Sequence, residues 1–257
     1  MSARLCQLLT VDKRIRGQVT VFWLTTGLIS TNGPGKARTV TTEPSTGASA
    51  GLRERKKQRT RNALVRAALE LFTTQGFEET TIDEITDAVE VSQRTFFRYF
   101  ANKEEVAFAV QSAIEEHFFS AFAARPPGEP PITSLRRAVS DTWDVYGEPA
   151  ADTVPPELHM RMYHVIESTP ALFAVLMYRS TALEDRLVRE IGRREGVDVA
   201  TDPRPRVLVA AFGGVMQMTG RVWGTGRDNT AEALRRITEK HLDQIGPALA
   251  ADWRRPA

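Results

Sequence analysis

Apolar residues recur at helical spacing from Arg53 onward. Ala63, Leu64, Ala67, Ala68, Leu71 and Phe72 fall at i, i+1, i+4, i+5, i+8 and i+9, a single stripe that ends at Gly76. Thr81 is placed to cap a short helix carrying Ile82, Ile85 and Val89, with Asp83 and Glu84 in its first turn. Ser92 is a second N-cap and opens Gln93-Arg-Thr-Phe-Phe-Arg-Tyr-Phe100. A long helix is predicted from near Asn102 to about Ala124, where Pro126, Pro127, Pro130 and Pro131 stop it. Further helices are predicted over roughly 132–147, 155–168, 170–195, 203–224 and 230–252, with Pro170, Pro203 and Pro205 in first turns. No segment alternates as a strand does, so the pattern predicts an all-α chain without internal repeats.

Residues 1–50 are different in kind. Thr31 to Gly51 is rich in Thr, Ser, Gly, Pro and Ala and reads as a linker. The apolar run Gln18 to Ser30 is shorter than the ~20 residues of a spanning helix, is broken by Thr and Gly, and is followed by no small-residue cleavage site. Residues 1–50 therefore read as a disordered extension, or as a translation start placed too far upstream. Residues 51–103 form a second unit and 104–257 a third.

Two short helices joined at Glu90-Val91 cannot stand alone. With the helix before them they make a three-helix unit of the helix-turn-helix type. In that geometry the second short helix enters the major groove and its first residues meet base edges. Those residues are Gln93, Arg94 and Thr95, with Arg98 a turn later. Arg pairs bidentately with guanine and Gln with adenine, each pair supplying about 1–3 kcal/mol of discrimination. Phe96 and Phe100, four apart, are expected to pack inward.

Charge agrees with this reading only once it is divided along the chain. The 257 residues carry 34 Lys/Arg and 32 Asp/Glu, a net +2. Residues 1–66 hold 13 basic and 3 acidic residues, a balance of +10, and the remainder carries −8. Arg53, Arg55, Lys56, Lys57, Arg59 and Arg61 put six basic residues in nine just ahead of the first apolar stripe. Beside a helix-turn-helix they are expected to neutralise phosphates or to enter the minor groove as an arm. With 42% apolar and 26% charged residues the chain is an ordinary globular protein, and the single Cys6 forms no internal disulfide. His117, His159, His164 and His241 show no metal-binding spacing. No Gly-rich phosphate loop, nucleophile elbow or nucleophile–base pair is present, so an enzyme is disfavoured and no cofactor or metal is expected. The expected compartment is the cytoplasm, without membrane association.

The stretch Ala67-Ala-Leu-Glu-Leu-Phe-x3-Gly76-Phe77, then Thr80-Thr81-Ile82-x2-Ile85, then Val91-Ser92-x2-Thr95-Phe96-Phe97-x-Tyr99-Phe100-x2-Lys103 resembles the TetR family of transcriptional regulators. The resemblance implies an N-terminal DNA-binding domain, an all-helical ligand domain and a homodimer on a pseudo-palindromic double-stranded operator, released by a ligand. A ligand-responsive activator with the same DNA contacts is the alternative. It implies base reading by Gln93, Arg94, Thr95 and Arg98, and phosphate contacts by Thr81, Tyr99 and Lys103, with Phe97 against sugar-phosphate or a thymine methyl. Where the family usually has Gly in the turn this chain has Glu90, which implies either a cost of about 1 kcal/mol or a variant turn.

Arg161-Met-Tyr-His-Val-Ile-Glu-Ser-Thr-Pro-Ala-Leu172, with Asp202-Pro-Arg-Pro-Arg206, resembles the branch of that family with an acyl-CoA-type ligand domain. Its effector would be an acyl-CoA or another lipophilic compound. Candidate wall residues are Phe118, Phe122, Trp143, Tyr146, Met162, Phe173, Met177, Phe212, Met216 and Trp223, with Arg161 or Arg179 at the phosphates. The same aromatics and methionines also read as plain core, their commoner use. The family's dimer is built from the last two helices, here near 203–224 and 230–252. Val207, Ala210, Ala211, Gly214 and Met218 form one small-residue stripe, and Leu234, Ile237, His241, Leu242 and Ile245 a second face.

Overall fold

The computed structural model describes residues 46–146, 154–224, 226, 228 and 230–250. The reading of residues 1–45 as an extension lies outside the described residues. Eleven helices follow in order among those described: α1 (Thr46–Thr74), α2 (Ile82–Asp87), α3 (Gln93–Phe97), α4 (Lys103–Ala107), α5 (Ala109–Ala123), α6 (Pro131–Tyr146), α7 (Pro156–Ser168), α8 (Pro170–Glu195), α9 (Arg204–Gly224), α10 (Ala231–Leu242) and α11 (Ile245–Ala250). None of the described helices is long and apolar enough to cross a membrane.

α1 buries a face rotated from the predicted stripe: Leu64, Ala68 and Phe72 are on it, Ala63 is exposed, Ala67 and Leu71 are half-buried, and Val65 and Leu69 take their place. Leu64, Val65, Ala68, Leu69 and Phe72 are all within 4% of full burial. Its first turns lie inside the stretch read as linker, so residues 46–50 are helical rather than part of an irregular extension. The basic residues 53–61 therefore ride on a continuous helix instead of an extended arm. Residues 52–59 are exposed along that helix.

Where one long helix was expected over 102–124, there are two. α4 stops at Phe108, whose φ of −94° and ψ of 6° leave the helical region, and α5 begins one residue later. Helical geometry supplies the reason. Phe108 is buried against α1 and α4, whereas Phe118 and Phe122 belong to a second core. At 100° per residue the ten positions from Phe108 to Phe118 leave the two rings about 80° apart, so a straight helix would not serve both cores. The segment expected over 230–252 is likewise interrupted, at Asp243-Gln244, between α10 and α11.

Two hydrophobic cores result. The first joins Phe72, Ile85, Phe96, Phe100 and Phe108 to Leu158, Met162 and Ile166 of α7 and Leu172 and Leu176 of α8. The division expected at 103/104 is thus crossed by a shared core, with α7 lying on α1. The second gathers Phe118, Phe122, Leu135, Val139, Leu187, Ile191, Val209, Phe212 and Leu242, with the rings of Phe118 and Phe212 stacked 5.9 Å apart. At its edge Glu129 accepts from Arg125 Nε at 2.9 Å, Arg125 Nη2 at 3.1 Å, Ser134 Oγ at 2.8 Å and Arg137. The Arg125 hydrogen bonds are the main cause holding its carboxyl down to about 2, which ties the α5–α6 turn in place.

The turn between α2 and α3 closes as a Schellman motif. Val91 N–H donates to Thr86 O at 3.0 Å and Glu90 N–H to Asp87 O at 3.1 Å. That closure needs a left-handed residue, and Glu90 supplies it at φ 55°. The turn keeps the shape glycine would adopt, and the side chain carries the strain. Glu90→Gly is expected to stabilise the chain by about 1 kcal/mol, a rise of roughly 2–4 °C in Tm by thermal denaturation, with the DNA-binding face unchanged.

Candidate nucleic-acid interface

Five residues do not make a stable helix unaided, so α3 is held by its cap and its buried face. Ser92 Oγ accepts the Thr95 N–H at 3.2 Å. Phe96 is fully buried and Phe100 nearly so, their rings 5.6 Å apart. With that face inward, Gln93, Arg94, Phe97 and Arg98 are exposed together on the opposite side, and Phe97 is 51% exposed with its ring edge-on to Phe96. A large apolar ring left in water beside two arginines suits contact with a sugar or a thymine methyl.

The other predicted positions divide by what already holds them. Thr95 is half-buried, its hydroxyl 3.1 Å from Ser92 Oγ. Arg98 lies over the Tyr99 ring at 5.0 Å and donates to Tyr99 Oη at 3.2 Å, so guanidinium and phenol form one unit at the end of α3. Thr81 forms a capping box with Glu84: its hydroxyl accepts the Glu84 N–H at 3.2 Å, and its own N–H donates to Glu84 Oε2 at 2.8 Å. That backbone hydrogen bond is the main reason the Glu84 carboxyl sits below its ordinary range. Gln93 Nε2 donates to Asp83 Oδ1 of α2, whose carboxylate also stands in that helix's first turn.

Lys103 departs from the expected phosphate grip. Its Nζ donates to Phe77 O at 2.8 Å, Glu78 O at 3.2 Å and Thr80 O at 3.4 Å, and lies 4.4 Å from the centre of the Phe77 ring. All three ammonium hydrogens have acceptors there, so the side chain bolts the start of α4 to the α1–α2 turn. Among the basic residues of α1, Arg53, Arg55, Lys56, Lys57 and Arg59 are exposed, whereas Arg61 is half-buried 5.2 Å from the Phe100 ring centre. The charged helix thus emerges beside the end of α3.

The expected ligand wall does not converge. Phe118, Phe122 and Phe212 are buried in the second core, with Trp143 and Met216 packed on it, while Met162, Phe173 and Met177 belong to the first. Close packing occupies these side chains in two separate places. Arg161 is exposed, Trp223 Nε1 donates to Thr230 O at 2.9 Å across the α9–α10 turn, and the Tyr146 side chain lies outside the described residues. Arg179 is the exception. Its Nη2 donates to Glu115 Oε2 at 2.7 Å and Ser112 Oγ at 2.8 Å, its guanidinium lies 5.4 Å from the Phe108 ring centre, and its buried Nε finds no acceptor among the described residues. Beside it, Glu115, Tyr178, Arg179, Ala182, Leu183 and Arg186 line an open cleft of about 190 Å³ between α5 and α8.

Of the expected dimer face, Val207 is 64% exposed and Met218 37%, Ala210 and Gly214 are exposed, and a Cβ built at Gly214 would meet nothing within 4 Å. Leu242 is instead 4% exposed in the second core, spent within the protomer because α10 turns that side toward α6 and α9.

A capped, aromatic-anchored short helix that exposes two arginines, a glutamine and a phenylalanine, behind a basic helix, is a helix-turn-helix DNA-binding unit. The comparisons agree. The model of the bacterial regulatory proteins of the tetR family matches residues 64–110, and that of the MftR C-terminal domain matches 129–250. The HTH-type transcriptional regulator TcmR of Streptomyces glaucescens is 47% identical over 206 residues, 80% of this chain and 91% of that protein. The HTH-type transcriptional repressor NicS of Pseudomonas putida is 31% identical over 97 residues, 37% of this chain and 46% of that one. The crystal structure of native NalD, the secondary repressor of the MexAB-OprM multidrug efflux pump in Pseudomonas aeruginosa, shares the fold at TM-score 0.53 and 18% identity, covering 77% of this chain and 100% of that chain. The chain belongs to the TetR family and is a DNA-binding transcriptional regulator.

Two variants separate reading from bolting. Arg94→Ala with Arg98→Ala is expected to weaken specific DNA binding at least tenfold in gel-shift titration and to leave thermal stability within ~0.5 kcal/mol. Lys103→Met is expected to lower stability by about 1–3 kcal/mol while leaving the salt dependence of DNA binding unchanged; a slope shallower by about one charge would restore the phosphate contact.

Proposed function

We propose that the protein is a homodimeric, ligand-released repressor that places two α3 helices in successive major grooves of a pseudo-palindromic operator. The observation that carries the reading is the exposed face of α9. Val207, Ala210, Gly214 and Met218 line it, an apolar stripe with small residues where a second helix would approach closely. Successive major grooves require the two α3 helices of such a dimer to lie about 34–36 Å apart, one helical turn of DNA.

The effector in this reading is an acyl-CoA or another lipophilic compound entering between α5 and α8. The cleft of about 190 Å³ is below the roughly 300–1,000 Å³ of occupied ligand sites, so binding there requires the helices to part. Parting them pulls Arg179 from Ser112 and Glu115 and disturbs Phe108, which sits in the core shared with α1 and α4. A state with altered spacing of the two α3 helices then no longer matches the grooves.

Sedimentation of the full chain is expected to give a dimer. Gly214→Glu with Met218→Glu is expected to give a folded monomer that loses tight binding to duplexes selected by the wild-type chain from a randomised pool. A wild-type monomer that binds those duplexes as tightly would overturn the dimeric reading. Mass spectrometry of small molecules extracted from the purified protein is expected to recover an acyl thioester or another lipophilic compound that, added back, releases DNA. If extracts hold none, and acyl-CoAs of several chain lengths leave DNA binding unchanged, the effector assignment fails.

A further inference from the structure

We propose that Asp83 is a specificity-determining positioning residue, which orients the Gln93 amide so that α3 presents it to adenine. The inference rests on the reading of α3 as the base-reading helix, and goes beyond it by assigning a role to a carboxylate outside that helix.

The chemistry of the pair permits one arrangement. A carboxylate only accepts hydrogen bonds, so Gln93 turns its Nε2 toward Asp83 Oδ1 and its Oε1 away. The flipped amide would set two acceptors against each other. With one N–H spent on Asp83, the second N–H and Oε1 remain as a donor–acceptor pair of defined order. Adenine complements that pair in the major groove with N7 as acceptor and N6–H₂ as donor. Gln93 alone, exposed and free to rotate, would present either order.

Asp83 is itself held where it can do this. The capping box between Thr81 and Glu84 sets the first turn of α2, and Thr86 Oγ1 donates to Asp83 O at 3.0 Å. The Schellman turn at Glu90 brings the first residue of α3 back to that turn, across ten positions of sequence. The carboxylate also carries a cost that needs a compensating use, because a negative charge at the DNA-facing edge repels phosphates. Holding Gln93 in one orientation supplies that use, trading general affinity for selectivity.

The test is selection of duplexes from a randomised pool, with sequencing, by the full-length wild type, Gln93→Ala, Asp83→Ala and Asp83→Asn, each first checked for an unchanged thermal transition. The wild type is expected to select adenine at one position of each half-site, and Gln93→Ala to lose that preference. Both Asp83 variants are expected to lower the adenine preference there by about tenfold, keep the remaining positions, and bind non-specific DNA more tightly. Asparagine fails because its amide can also donate to Gln93 Oε1 and so admits the flipped state. Asp83 variants with wild-type adenine preference, while Gln93→Ala loses it, would overturn the proposal alone. Loss of a cytosine preference at a separate position would also overturn it, since Asp83 would then read DNA itself. A Gln93→Ala variant that selects the wild-type motif would instead remove the base-reading role of Gln93, and the proposal with it.

Discussion

A helix as short as α3 forms only because something outside it makes its geometry the cheapest one available, and here that is the burial of Phe96. Its ring has no exposure and meets Phe97 and Phe100 while lying in the core built by α1 and α2. Removing that much apolar surface from water contributes about 1.5–3 kcal/mol, more than the cap at Ser92 adds. Once Phe96 points inward, helical periodicity alone sends Gln93, Arg94, Phe97 and Arg98 outward. The exposed surface of α3 is therefore a consequence of the core, and any change that loosens Phe96 disorders Gln93, Arg94, Phe97 and Arg98 without touching them.

The same core carries the connection to the rest of the chain. Met162 and Ile166 of α7 and Leu172 of α8 are buried with Phe72, Phe96 and Phe108, so the helix-turn-helix unit has no separate floor of its own. A close-packed interior transmits displacement because it has few voids to absorb it. Phe108 ends α4 on this side and has Arg179 of α8 over its ring, with Arg179 also holding Ser112 and Glu115 of α5. The Arg179–Phe108 contact thus adds a polar link between α8 and that core beside the apolar contacts of Leu172 and Leu176. The break in the helix at Phe108 lets α4 and α5 face different cores.

The polar residues show where residue type and residue role come apart. Arg94 and Arg98 are exposed where the spacing puts them. Lys103, in the same motif, spends its ammonium on three carbonyls of the α1–α2 turn, and its position along the chain carries no sign of this because those carbonyls lie 23 to 26 residues earlier. Asp83 reads locally as an acid in a helix's first turn, and only the turn at Glu90 places it beside Gln93. The aromatic and methionine positions proposed as one pocket wall are likewise true apolar positions divided between two cores.

What the sequence determined by itself is whatever depends on neighbours within about two helical turns: the all-α pattern, the caps at Thr81 and Ser92, the buried face of α3, and the outward set on that helix. Those follow from 3.6 residues per turn and from side-chain hydrogen bonds three residues long. Only the tertiary structure decided which cores the faces join, where a long helix must break so that Phe108 and Phe118 face different interiors, and which cations remain available for DNA. Those choices rest on contacts between residues tens of positions apart, and a linear pattern records that a side chain is apolar or charged without recording what it meets.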